Sequence, residues 1–87
     1  MNTFKLTVTT PDGNVYEGSA EALFVRGTEG DLAILANHAP YVTALKPCIC
    51  RIVLEEGDDI EADISGGLLS VTSGGDSILL TTSFKSI

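Results

Sequence analysis

His38 is the only histidine in this chain, and Cys48 and Cys50 are its only cysteines. These are the three side chains best suited to hold a transition metal, and together they could give three zinc ligands. Structural zinc sites, however, usually space their paired cysteines about two to four residues apart, and C-x-C does not. A cupin-type centre needs at least two histidines with a carboxylate, which a single histidine cannot supply. Residues two apart on a strand share a face. Such neighbours rarely have the geometry for a disulfide with each other. Reduced, packed thiols are therefore expected, with no metal and no cofactor.

Other chemistries fare no better. Serines and aspartates are plentiful, but none of the serines sits in the G-x-S-x-G elbow of a hydrolase. Gly27 to Gly30 lacks the Lys-Ser/Thr pair and the following helix of a phosphate-binding loop. The carboxylates between Glu55 and Asp63 lack the spacing and closing glutamate of a calcium loop. They read as a solvated hairpin that discourages edge pairing. No catalytic residues are expected.

The elements that would carry these side chains are short strands. Phe4, Leu6 and Val8 alternate with Lys5, Thr7 and Thr9, the pattern of a half-buried strand. Pro11-Asp12-Gly13-Asn14 is a turn, followed by a short strand over Val15 to Gly18. Ala20 to Arg26 is apolar and β-prone, and too short to stand as a helix. Gly27 to Asp31 reads as a glycine-flanked loop, Leu32 to Leu35 as a strand, and Ala36 to Pro40 as a second loop. Tyr41 to Lys46 and Ile49 to Leu54 follow as strands, with an acidic turn at Glu55 to Asp59. Ile60, Ala62 and Ile64 alternate with Glu61, Asp63 and Ser65. Gly66-Gly67 and Ser73 to Asp76 read as hairpin turns around Leu68 to Thr72, and Ser77 to Thr82 is the last strand. Ser83 to Ile87 is expected to be loose. About nine or ten short strands with turn signals between them predict an all-β antiparallel sandwich spanning residues 1–87 as one domain.

Five basic residues stand against twelve acidic ones, for a net charge of −7. Phosphate backbones and anionic lipid surfaces would be repelled. The apolar runs fall far short of the roughly 20 residues a membrane helix needs. Met1 to Leu6 does not have the layout of a signal peptide. A cytoplasmic protein is expected, tied to a membrane only through another protein. Composition and spacing favour a binding or structural module over an enzyme, and leave the partner open. A free-standing sandwich that binds a small ligand is the alternative.

Two loops are more particular. Gly27-Thr28-Glu29-Gly30-Asp31-Leu32-Ala33-Ile34 followed by His38-Ala39-Pro40 resembles the signature of bacterial and chloroplast ATP synthase epsilon subunits. In that family a G-x-E-G-x-x-x-I stretch leads into H-A-P. Thr43-Ala44-Leu45-Lys46-Pro47 is similar to the family's T-x-L-x-P-G, and Ser65-Gly66-Gly67-Leu68-Leu69-Ser70-Val71 to its S-G-G-x-x-E-V. Phe4 to Val8 and Tyr16-Glu17-Gly18 fit the family's start. Cys48 stands where the family usually has glycine, Asn37 where glycine is frequent, and Ser70 where glutamate is. Asn37 tolerates positive φ better than most residues.

The resemblance implies the family's N-terminal β-sandwich, working as a rotor subunit in the central stalk of a rotary F-type ATP synthase. Its partners would be the gamma subunit and the c-ring, at the cytoplasmic face of the membrane. Glu29, Gly30, Asp31 and His38 correspond to c-ring-contacting positions. Thr10, His38, Ala39, Pro40 and Thr43 correspond to gamma-contacting ones. Gly27, Gly66 and Gly67 are expected to serve the backbone rather than a partner, and Gly30 to shape its loop as well. The family usually continues into a C-terminal helical hairpin. That hairpin is expected to be absent here, and its inhibitory role is not carried over.

Overall fold

A computed structural model describes residues 3–37 and 39–87. Inward positions on successive strands supply one core. Phe4, Leu6 and Val8 come from β1 (Phe4–Thr10), Leu23 and Val25 from β3 (Ala22–Gly27), and Ile34 from β4 (Gly30–Leu35). Cys50 and Ile52 come from β6 (Cys48–Val53), Ala62 and Ile64 from β7 (Ile60–Ile64), Leu69 and Val71 from β8 (Gly67–Val71), and Leu79 from β9 (Ser77–Leu80). The period of two makes this possible: most strands give one row to the interior and keep the other outside. β2 (Gly13–Ala20), β5 (Tyr41–Leu45) and β10 (Phe84–Ser86) complete ten strands.

The strands form two layers. Sheet I runs β4-β3-β6-β7-β10 and sheet II runs β5-β8-β9-β1-β2. They join at one corner, where Gly27 of β3 pairs with Leu45 of β5. There the Thr28 N–H donates to the Ala44 carbonyl (3.2 Å) and the Lys46 N–H to the Arg26 carbonyl (3.0 Å). The chain then bends at Pro47, leaving sheet II and entering sheet I as β6. The expected β-sandwich is present, and one pair within it runs parallel, β1 with β9.

Several local expectations change. The glycine loop is a two-residue turn, Thr28-Glu29, and Asp31 is already paired with Arg26 in the β3–β4 ladder. Ser83 to Ile87 is not loose: Phe84–Ser86 pairs with β7, and the Ile87 N–H donates to the Glu61 carbonyl at 2.9 Å. The link Gly66-Gly67 is not a hairpin turn either. It carries the chain from β7 in sheet I to β8 in sheet II. A Cβ on Gly67 (φ 147) would lie 1.9 Å from the Leu80 carbonyl oxygen, so this crossover can pass only as glycine. Asn37 has φ 65, the left-handed conformation expected of it.

Candidate functional site

Sheet II presents two outward rows of side chains. Pairing aligns Ala44, Leu68, Leu80 and Thr9 in one row, and Val42, Ser70, Ile78 and Thr7 in the other. Val42, Leu68, Ile78 and Leu80 are between 41% and 63% exposed, although their side chains are wholly apolar. At about 4.8 Å between neighbouring strands, the rows extend roughly 14 Å from β5 to β1. Neither row contains a charged side chain until Glu17 on the edge strand β2, opposite Thr7.

The outer face of sheet I differs. Phe24 and Ile49 are exposed there, but charges interrupt them. Phe24 lies beside Arg51, Ile49 opposite Asp63, Arg51 opposite Glu61 and Lys85 opposite Asp63. Arg26 Nε donates to Asp31 Oδ1 at 2.9 Å, and Arg51 Nη2 to Asp59 Oδ2 at 2.6 Å. The hydrogen bond to Asp31, and then its charge, raise the Arg26 pKa. The two outer faces thus divide the chemistry, one with uncharged rows from β5 to β1 and charges only at Lys5 and Glu17, the other laced with ion pairs.

The residues singled out by resemblance fall in three places. Glu29, Gly30 and Asp31 share the exposed tip between β3 and β4, with Asp31 committed to Arg26. Thr10 and Thr43 both belong to sheet II but take inward positions. Thr10 is 9% exposed and its hydroxyl donates to the Gly13 carbonyl (3.2 Å), while Thr43 is half-buried opposite the buried Leu69. Three strand spacings separate them. Ala39 and Pro40 are exposed in the segment leading into β5. His38, assigned to both partners, lies outside the described residues.

The sequence reading missed Val42, Leu68, Ile78 and Leu80. A signal existed for Leu68, Ile78 and Leu80. Leu68-Leu69 and Ile78-Leu79-Leu80 are apolar on both faces of a strand, which is the mark of a sheet covered on both sides.

Cys48 and Cys50 both take inward positions, Cys50 fully buried and Cys48 half-buried. Burial, with Cys48 beside it adding to the rise, pushes the Cys50 thiol up to about 11. A thiol held protonated in this way is a packing group, not a nucleophile. Among the described residues, no group of three or more His, Cys, Asp or Glu side chains could hold a metal ion. Nor is any helix there long and apolar enough to cross a membrane.

Fold and surface define a two-layer β-sandwich with a largely uncharged outer face on sheet II and a charged one on sheet I. The sequence matches the family described as ATP synthase, Delta/Epsilon chain, beta-sandwich domain, over residues 3–85, and the chain belongs to that family. Among solved structures, it resembles a chain of the Euglena gracilis mitochondrial ATP synthase, solved as OSCP/F1/c-ring in rotational state 1. That match has a TM-score of 0.90 and 28% identity, covering 97% of this chain and 53% of that one. A chain from the central stalk/c-ring structure of the Tetrahymena thermophila mitochondrial ATP synthase shares the fold. There the TM-score is 0.77 and the identity 15%, with 95% of this chain and 66% of that chain covered. The chain therefore spans about half the length of the first relative and about two thirds of the second.

Proposed function

We propose that this domain is a non-catalytic component of the rotor of an F-type ATP synthase, docked by the outer face of sheet II onto the gamma subunit. One observation carries the reading: in a chain of net charge −7, the apolar residues Val42, Leu68, Ile78 and Leu80 gather in two rows that hold no charged side chain from β5 to β1, with Lys5 and Glu17 at the margin. Interface cores are depleted in charged residues and enriched in desolvated apolar ones. The opposite face keeps its charges for water. The tip at Glu29 and Asp31 lies on another part of the surface and is left for the c-ring loops, whose basic and polar groups it would meet in charge-assisted contacts. Because Asp31 is held by Arg26, Glu29 is the acid that carries this second contact. Gly30, with φ 136, shapes the turn that presents it. Ala39 and Pro40 lead into β5, near Val42, and belong to the gamma side, the side to which the family resemblance also assigns His38 together with the ring. Thr10 and Thr43 support the face from beneath rather than forming it.

The work is mechanical. A sandwich packed at interior density transmits strain without shearing, so torque on the gamma face passes to the ring-facing tip. Membrane association, at the cytoplasmic face, is then indirect. The test is co-purification with gamma. Ile78→Asp combined with Leu68→Asp is expected to abolish it while the β-sheet circular dichroism persists. Ile49→Asp, on sheet I, is expected to leave it intact. Retention of gamma by the folded double variant would refute the docking face.

A further inference from the structure

The neutral face ends in a groove of about 580 Å³, where residues 9–11, 65–68 and 80–82 meet. No charged side chain lines it. Its hydroxyls are spent on one another. Ser65 Oγ lies 2.6 Å from Thr82 Oγ1 and 3.4 Å from Thr81 Oγ1, and Thr81 Oγ1 donates to the Ser83 carbonyl at 3.1 Å. Donation from Thr82 to Ser65, from Ser65 to Thr81 and on to that carbonyl uses all three protons. Thr9 Oγ1 donates to Asn14 Oδ1 (2.8 Å), and Thr10 Oγ1 to the Gly13 carbonyl (3.2 Å). What remains is acceptor lone pairs and the Gly66-Gly67 backbone among the apolar atoms of Pro11, Leu68 and Leu80.

With its side-chain hydroxyl protons already committed and no charged side chain in the lining, this surface has no side-chain donors to converge on an anion. It does suit an apolar anchor. We propose that the groove receives one bulky uncharged side chain of the gamma subunit, aromatic or long aliphatic, when gamma lies on sheet II. The proposal rests on the docking face above and adds its anchor point. Leu68 and Leu80 belong to both the exposed row and the groove, so a partner seated on the row already covers the groove's mouth. Interface energy concentrates where aromatic or apolar anchors fill desolvated pockets. The groove is also preformed. Gly67 fixes one wall by backbone contact with Leu80, so little ordering is left for binding to impose.

The test is to fill the groove from within and titrate purified gamma by calorimetry. Thr82 is exposed, so Thr82→Trp places an indole in the space without entering the core. Its affinity for gamma is expected to fall at least about tenfold, with an unchanged melting temperature. Glu56→Trp, on the far acidic hairpin, is expected to bind like the parent. If Thr82→Trp is less stable than the parent, Ser65→Leu closes the groove from the crossover side and the same fall is expected. Parent-like affinity in a folded, groove-filled variant overturns the proposal. Ile78→Asp, measured alongside, separates the two ideas. Its loss of binding beside a tolerated Thr82→Trp would leave the docking face standing and remove the anchor alone.

Discussion

The carbonyl oxygen of Leu80 lies 1.9 Å from the point that a Cβ on Gly67 would occupy. The two residues sit on paired strands, where Leu68 opposes Leu80, and the crossover from sheet I enters sheet II at this point. No rotamer change can relieve the clash, because the obstructing atom is backbone. Gly67→Ala is expected to destabilise the domain by about 3 kcal/mol or more, read as a shift in the urea midpoint. Gly74→Ala is the contrast. Its φ of 98 is strained for alanine, but nothing lies within 4 Å of the added methyl, so a loss of about 1 to 2 kcal/mol is expected.

Asn37 poses the same question with a side chain already in place. Its φ is 65, and its N–H donates to the Gly74 carbonyl at 3.2 Å, tying the chain just after β4 to the β8–β9 turn. Asn37→Gly is expected to leave stability within about 0.5 kcal/mol, whereas Asn37→Val is expected to lower it by about 1 to 2 kcal/mol. Thermal unfolding of the three proteins gives the order.

Cys50 links stability to alkaline pH. Its folded pKa of about 11 exceeds the usual value of 9.0. The unfolded chain therefore loses this proton first, and binds fewer protons than the folded chain between pH 9 and 11. Stability must fall with rising pH across that window, by roughly 3 kcal/mol at most from this group. Below pH 9 the contribution is fully present. Denaturation at pH 8 and pH 11 should show a smaller loss for Cys50→Val than for the parent, since the valine cannot titrate.

The separation of charge between the faces predicts a separation in salt dependence. The proposed binding to gamma through Val42, Leu68, Ile78 and Leu80 would involve little charge. Its affinity should change less than about threefold between 50 and 500 mM NaCl. A contact of Glu29 with basic c-ring loops should weaken steeply over the same range, and Glu29→Gln should abolish that dependence. Pull-down against isolated c-ring across a salt series measures it.

Much of the layering was legible because period-two alternation survives in nearly every strand. Phe4, Leu6 and Val8, or Ile60, Ala62 and Ile64, announce both strand and inward face. What the sequence hid is non-local. Phe84-Lys85-Ser86 has no apolar alternation and becomes a strand only because β7 offers it an edge. Gly66-Gly67 signals a change of direction but not which sheet the chain enters next. The parallel contact of β1 with β9 joins segments about seventy residues apart. The candidate site divided in the same way. Glu29 and Asp31 stood out by motif, while Leu68, Ile78 and Leu80 were hidden in apolar runs that a strand's core row explains equally well.

Hydroxyl-radical footprinting of the domain, alone and bound to gamma, reads the docking face on the unmodified protein. Binding should protect Val42, Leu68, Ile78 and Leu80 from oxidation while Phe24 and Ile49 stay as reactive as in the free domain. Protection of Phe24 and Ile49 instead, with sheet II still open to labelling, would place gamma on the charged face and contradict the docking arrangement.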